Sequence, residues 1–304
     1  MFDVNYDFFL IENNFKEIEE VKSEKIQGDT SSKLPLVSIV IPTYKRVSTL
    51  RETLDSAIRQ TGNHNYEILV VDNNPERGDE TELLMAEYVS VKNLLYFKNT
   101  ANIGMAGNWS RCSELAHGEW VVLIHDDDLL VNNYLDEIEP CLINCVDGLF
   151  VCPKTFIDGE PLPTLNNSER MEIMKITLMY QYLFPILCAS GNALRKSKIL
   201  EYGGYTSKTY APDFFFSKMV YYSNVYMTNK SLIYYRKGLN ESTKTEVMDK
   251  LNYINHYFRI QNFQRIGIPL YLINIIMPYS DILFEQGFKK EWNKEYQYSL
   301  SLIH

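Results

Sequence analysis

The sequence predicts an α/β domain with a mostly parallel central sheet flanked by helices. Short apolar runs, many of them β-branched, lie at residues 36–41, 66–71, 94–97, 119–124 and 149–152, and they alternate with stretches of helical periodicity. The runs are mostly apolar, as strands buried on both faces are. Three of them end abruptly in polar residues, at Pro42-Thr43-Tyr44, Asp72-Asn73-Asn74-Pro75 and Asp126-Asp127-Asp128. A chain of 304 residues, 45% hydrophobic and 23% charged, has material for one large α/β domain or a domain with an appendage.

The elements follow in order. Residues 1–34 are polar and form an N-terminal extension, with an amphipathic helix expected over 8–21. The run at 36–41 is closed by Pro42, and a helix is expected from about Ser48. Thr49 and Glu52 there have capping-box spacing, and Leu50, Leu54, Ala57 and Ile58 share a face. The second strand ends in the turn formers of 72–75. Residues 79–89 suit a helix, 94–97 a short strand and 105–117 another helix. The strand at 119–124 runs into the aspartates. Over 132–144, Tyr134, Leu135, Ile138, Cys141 and Leu142 fall on one helical face, and 149–152 is the next strand. Residues 153–190 lose the alternation, a helix opens at Asp213 and runs to 222, and 246–304 read as helices with Leu251, Ile254, Tyr257 and Phe258 on one face. The main domain is therefore expected at 35–240 and a helical region at 241–304.

A formal net charge of −9 argues against nonspecific nucleic-acid binding, which needs a basic footprint. Cys112, Cys141, Cys145, Cys152 and Cys188 form no C-x-x-C pair and read as reduced core thiols of a cytoplasmic protein. The early Asp3, Asn5 and Asp7 do not look like a secretory signal. No apolar run approaches the length of about 18 residues that a spanning helix needs. Residues 266–277 are apolar but interrupted by Gly267, Pro269 and Asn274. Core packing or a homodimer contact is their first reading. A peripheral contact at the inner face of a membrane is the second.

Ligands of such sheets bind outside the carboxyl ends of the strands, which gathers the three polar clusters at one edge. Three carboxylates at a strand end repel one another and are costly unless a cation joins them. Mg²⁺ or Mn²⁺ suits them, since hard cations take carboxylate oxygens. Solvated aspartates, or a helix cap, are the alternative for 126–128, and a plain turn is the alternative for 72–75.

On these residues the chain resembles the family 2 glycosyltransferases, which have the GT-A fold. The resemblance covers about residues 36–240. It rests on Val-Ser-Ile-Val-Ile-Pro-Thr-Tyr at 37–44, Val-Val-Asp-Asn at 70–73, Asn-x-x-Asn-x-Gly at 99–104 and Gly118-Glu119-Trp120 before the aspartates. Gly203-Gly204-Tyr205, Ala211-Pro212-Asp213 and Tyr234-Tyr235-Arg236 continue it in order. It implies transfer of a sugar from a nucleotide-diphosphate sugar, usually a UDP-sugar, to a glycan or lipid-linked glycan acceptor in surface polysaccharide or glycoconjugate synthesis. Residues 35–130 would then bind the nucleotide sugar and 131–240 the acceptor.

The resemblance also implies roles for single residues. Pro42, Thr43 and Tyr44 would hold base and ribose, with the Tyr44 ring available for stacking. Asp72 would accept from the uracil N3–H. Asn102, Gly104 and Asn108 would flank the donor, with Gly104 admitting close backbone approach. Arg46 and Arg111 are candidates for phosphate. Asp127 is expected as direct metal ligand, Asp128 as a ligand through water or an orienting group, and Asp126 facing the ribose. The family often has Asp-x-Asp-Asp here; His125 stands at the first position. Asp213 would be the general base of an inverting single displacement, although Pro212 replaces the usual glutamate beside it. Two rival readings are a nucleotidyltransferase, disfavoured because 42–46 carries no glycine, and a non-catalytic nucleotide-sugar-binding module on the same fold.

Overall fold

The computed structural model describes residues 3–29, 33–143, 147–165, 170–178, 180, 189–209, 211–238, 245–269 and 271–272. The N-terminal segment is not the expected helix. It holds a single 3-10 turn, Asn14–Glu17, and then strand β1 (Ser23–Gln27), which pairs antiparallel with the sheet edge. The apolar residues that suggested a helical face are used elsewhere. Phe8 and Phe9 pack among Phe214, Ile254 and Phe258, while the buried Arg111 guanidinium donates to the carbonyls of Ile18 and Val21, each at 2.8 Å.

The half that follows alternates as the sequence predicts: β2 (Val37–Thr43), α1 (Val47–Ile58), β3 (Tyr66–Asp72), α2 (Glu80–Ala86), β4 (Leu94–Asn99), α3 (Gly104–Leu115) and β5 (Trp120–Leu123). The chain continues with β6 (Leu129–Leu130), α4 (Tyr134–Leu142), β7 (Gly148–Ile157), β8 (Ile173–Lys175), β9 (Asn192–Arg195), α5 (Lys196–Glu201), α6 (Phe214–Tyr222), β10 (Val225–Lys237) and α7 (Thr245–Arg265). The sheet order is β1-β4-β3-β2-β5-β9-β7-β10-β6, with β8 on β10. Strands β4, β3, β2 and β5 are mutually parallel, and β9 joins antiparallel between β5 and β7.

Period-two alternation along these strands divides the core into two faces. Val37, Ile39, Ile41, Ile68 and Val70 pack with Leu50 and Leu54 of α1 and with Tyr134 and Ile138 of α4. Val40, Leu69, Val71 and Val121 pack on the other side with Trp109 and Cys112 of α3 and with Phe216 and Met219 of α6. Each such large side chain contributes about 1.5–3 kcal/mol by leaving water.

Some local expectations change. The capping box at α1 does not form: Thr49 Oγ1 donates to the Arg46 carbonyl at 3.2 Å, and Glu52 is drawn to Arg236 at 2.7 Å. The strand at 149–152 extends to Ile157 because β10 continues alongside it. Cys112, Cys141 and Cys152 are not in disulfides, while Cys145 and Cys188 lie outside the described residues. Ile254 and Phe258 of α7 are buried as the shared face requires. Among the described residues no helix is long and apolar enough to cross a membrane. Most of the apolar stretch 266–277, and with it the expected dimer or membrane contact, lies outside the described residues.

Candidate active site

The strand order turns back at β2. The chain moves from β2 to β3 to β4 on one side, then crosses to β5 on the other. A crevice opens where neighbouring strands part in this way, at their carboxyl ends. The ends of β2 and β5 meet there. Thr43 Oγ1 donates to Asp126 Oδ2 at 2.8 Å. The turn after β2 puts Lys45 at φ 55°, a left-handed conformation, and the chain then enters α1 through Arg46. Arg46 bridges two aspartates, with Nη1 3.4 Å from Asp126 Oδ1 and Nη2 2.7 Å from Asp127 Oδ2.

The aspartate turn is fastened from several directions. The Asp128 N–H donates to the His125 carbonyl, and Thr53 Oγ1 donates to the Asp128 carbonyl at 2.8 Å. Arg236 on β10 donates its backbone N–H to Asp128 Oδ1 at 2.9 Å and its Nε–H to the Asp127 carbonyl at 2.8 Å. Its remaining guanidinium N–H groups reach Glu52 and Asp158, and the group lies over the Phe156 ring at 4.7 Å. The motif Tyr234-Tyr235-Arg236 was visible in the sequence, but this holding role was not.

The resemblance implies a divalent cation, and the donor set fits one. The Oδ2 atom of Asp128, a residue 0% exposed, has no hydrogen-bond partner; its ion-pair neighbour is His125 Nδ1 at 3.4 Å. His125 Nε2 is buried and also lacks a hydrogen bond. One ligand atom from each of His125, Asp127 and Asp128 falls within 4.8 Å of the other two. A buried carboxylate oxygen without a hydrogen bond is costly, and a cation placed here would satisfy it.

Burial governs the electrostatics of the cluster. Burial pushes the Asp126 carboxyl up to about 6, with Asp127 adding to the rise and Arg46 opposing it. Burial and then Asp128 raise Asp127, against His125 and Arg46. Burial pulls His125 down, but Asp128, Asp127 and Asp213 outweigh it and bring the imidazole up to about 9. Asp213 stands at the N-cap of α6, half-buried, with no capping hydrogen bond from its side chain. Burial raises it to about 6, and His125 opposes that rise.

At the nucleotide end most of the expected residues are buried and hydrogen-bonded within the chain. Asp72 is 0% exposed rather than at an open strand end. Its Oδ2 takes Lys98 Nζ at 2.6 Å and the Tyr96 hydroxyl at 3.0 Å, and its Oδ1 takes the Asn74 N–H at 2.8 Å. Asn108 is also buried; it donates to the Val71 carbonyl at 3.0 Å and accepts from Asn99 at 2.9 Å, so its amide holds strands together. Arg111 is buried and clamps the N-terminal segment, its Nη2 donating to the Ile18 and Val21 carbonyls. Pro42 and Thr43 are buried, and of that trio only Tyr44, at 44%, presents an exposed ring. Asn102 and Gly104 are exposed. Asn102 Oδ1 accepts from Asn73 Nδ2 and from the Gly104 N–H, both at 2.8 Å. Gly104 has φ 73° with open space where a Cβ would stand, so conformation alone calls for glycine there.

Residues 38–203, more than half of the chain, match the family described as Glycosyl transferase family 2. This chain belongs to that family. An uncharacterized glycosyltransferase of Rickettsia typhi is 30% identical over 158 residues, which is 50% of this chain and 46% of the relative. The chain spans less than half the length of the first curated relatives that it matches. Among solved structures, S. aureus TarS in complex with UDP-GlcNAc superposes with a TM-score of 0.57 at 19% identity, over 75% of this chain and 72% of TarS. The mannosyltransferase PcManGT from Pyrobaculum calidifontis, solved with GDP-Man and Mn²⁺, gives 0.55 at 15% identity, over 95% and 88%. At those identities the likeness is one of fold, and the fold is GT-A.

Proposed function

We propose that this family 2 member transfers a sugar from a nucleoside diphosphate donor to an acceptor hydroxyl with inversion at the anomeric carbon. The observation that carries the reading is the convergence at the sheet's switch point: Arg46, Asp126, Asp127, Asp128 and His125 meet there, and Asp213 lies within electrostatic reach of His125. The donor is a UDP-sugar and the acceptor a glycan or lipid-linked glycan of surface polysaccharide or glycoconjugate synthesis. Uracil would lie against the exposed Tyr44 ring and the Asn102–Gly104 loop. The buried Asp72 would shape that corner through Lys98.

Asp127 and Asp128, with His125 beside them, would hold Mn²⁺ or Mg²⁺. A divalent cation bound there would neutralise charge developing on the diphosphate. Arg46 adds positive charge at the same side and would contribute it to the diphosphate beside Asp127. Asp213, as carboxylate, takes the acceptor hydroxyl proton while that oxygen forms its bond to the anomeric carbon. The bond from that carbon to the diphosphate breaks, and its electron pair leaves with the diphosphate. A single displacement of this kind needs one base and no enzyme nucleophile.

The test is a hydrolysis and transfer screen over nucleotide sugars with Mn²⁺ or Mg²⁺, with the anomer of the product read by NMR. Release of a nucleoside diphosphate and a product of opposite configuration are expected. A retained configuration, or cleavage of nucleoside triphosphates in place of nucleotide sugars, would overturn the reading.

A further inference from the structure

His125 stands where the resemblance leads one to expect an aspartate, so an oxygen donor has been exchanged for a nitrogen donor at the edge of the carboxylate pair. Its ring is not free to wander. It lies stacked on Trp109, with centroids 5.2 Å apart and an interplanar angle of 29°. Its backbone N–H donates to Ser190 Oγ at 3.2 Å, which fixes the start of the turn. A histidine that served only to pack would satisfy both ring nitrogens or leave one in solvent. Here Nε2 is buried without a hydrogen bond, and Nδ1 has only the ion-pair contact to Asp128 Oδ2, itself lacking a hydrogen bond on a fully buried residue. Both residues belong to the group in which one ligand atom from each of His125, Asp127 and Asp128 lies within 4.8 Å of the other two.

We propose that His125 is a nitrogen ligand of this centre, giving a His125–Asp127–Asp128 donor set that favours Mn²⁺ over Mg²⁺. The inference rests on the metal-dependent reading above. Its physical basis is ligand type. Mg²⁺ is small, demands oxygen and keeps its waters, whereas imidazole gains most with first-row transition ions. Replacing one carboxylate by imidazole also lowers the site's negative charge by one, which costs a hard, strongly hydrated ion more than a softer one.

The experiment is pulsed electron paramagnetic resonance on the full chain with Mn²⁺ alone, without nucleotide or sugar. Nitrogen-14 modulation of the Mn²⁺ signal is expected, and it should convert to the nitrogen-15 pattern when the protein is grown on nitrogen-15 histidine. His125→Asp should still bind Mn²⁺ without that modulation. Competition between the two ions should then move towards Mg²⁺ by roughly 10-fold, the lower end of what losing a metal-site partner costs. The labelled wild type keeps the question answerable if the variant does not fold. Mn²⁺ bound with no nitrogen coupling, or an unchanged competition ratio in His125→Asp, would overturn the role of His125 and leave the metal-dependent reading standing. Failure of the wild type to bind Mn²⁺ at all would overturn both.

Discussion

Two acidic clusters sit at the same edge of one sheet, and their charges are balanced in opposite ways. At the end of β3, Asp72 and Asp79 share a buried cation: Lys98 Nζ lies 2.6 Å from Asp72 and 3.0 Å from Asp79. The Tyr96 hydroxyl and the Asn74 N–H occupy the remaining Asp72 positions, so the cluster is closed. At the end of β5 the cations approach from the sides. Arg46 touches Asp126 and Asp127, Arg236 holds the turn's backbone, and Asp128 Oδ2 and His125 Nε2 remain without hydrogen bonds. A closed cluster stabilises the fold, while a cluster with spare donor atoms keeps capacity for a ligand. Acidic composition does not separate the two cases. The presence of a lysine one strand away does.

The largest effect should come from the open side. Asp213→Asn keeps the shape but cannot accept a proton, so transfer should fall by roughly 10²–10⁴-fold with nucleotide affinity unchanged. Initial rates and a direct binding titration measure the two quantities; an ordinary rate would move the base elsewhere. Asp158 and Glu201 are weakened alternatives, since Asp158 pairs with Arg236 and Glu201 with Lys198. Asp127→Ala removes a carboxylate that Arg46 uses and that the proposed cation would share, and should cost about 10²-fold or more in rate, given the several kcal/mol that a bound ion supplies. Full activity in excess chelator would remove the metal from the account.

The closed side should respond in stability. Lys98→Met leaves two carboxylates without their shared cation and should cost about 3–5 kcal/mol in urea unfolding. Asp128→Asn is the contrasting substitution: its remaining carbonyl can still accept from the Arg236 N–H, so stability should stay within about 1 kcal/mol while Mn²⁺ affinity falls. Equal destabilisation by the two variants would erase the distinction between the clusters.

The smallest effect is one of pH. In the proposed mechanism Asp213 must be a carboxylate to act, and burial raises it to about 6. Below that pH its protonated fraction grows, so kcat/KM should fall tenfold per unit on the acid side and level off above about 6. A flat acid limb down to pH 4 would separate Asp213 from the proton transfer.

Much of this was legible in the chain because the signals are local. Apolar runs such as 36–41 and 66–71 are short and punctuated by Pro and Asx residues, and each became a buried strand of the parallel half. The acidic triplet was readable as a cluster because its residues are adjacent. The 8–21 helix failed for the opposite reason. Phe8 and Phe9 fit a helical period, but their partners, Phe214 and Phe258, lie far along the chain and win by burial.

The sequence by itself determined the strand–helix alternation, the edge at which polar residues collect and the acidic character of that edge, since period, turn chemistry and charge are properties of neighbouring residues. Only the tertiary structure decided which carboxylates are spent and which are left over. Lys98 reaches Asp72 across 26 positions and Arg236 reaches Asp128 across 108, and such pairings follow from strand order rather than from spacing. Burial then sets their weight, because a charge removed from water must find its partner within a few ångströms, wherever in the chain that partner lies.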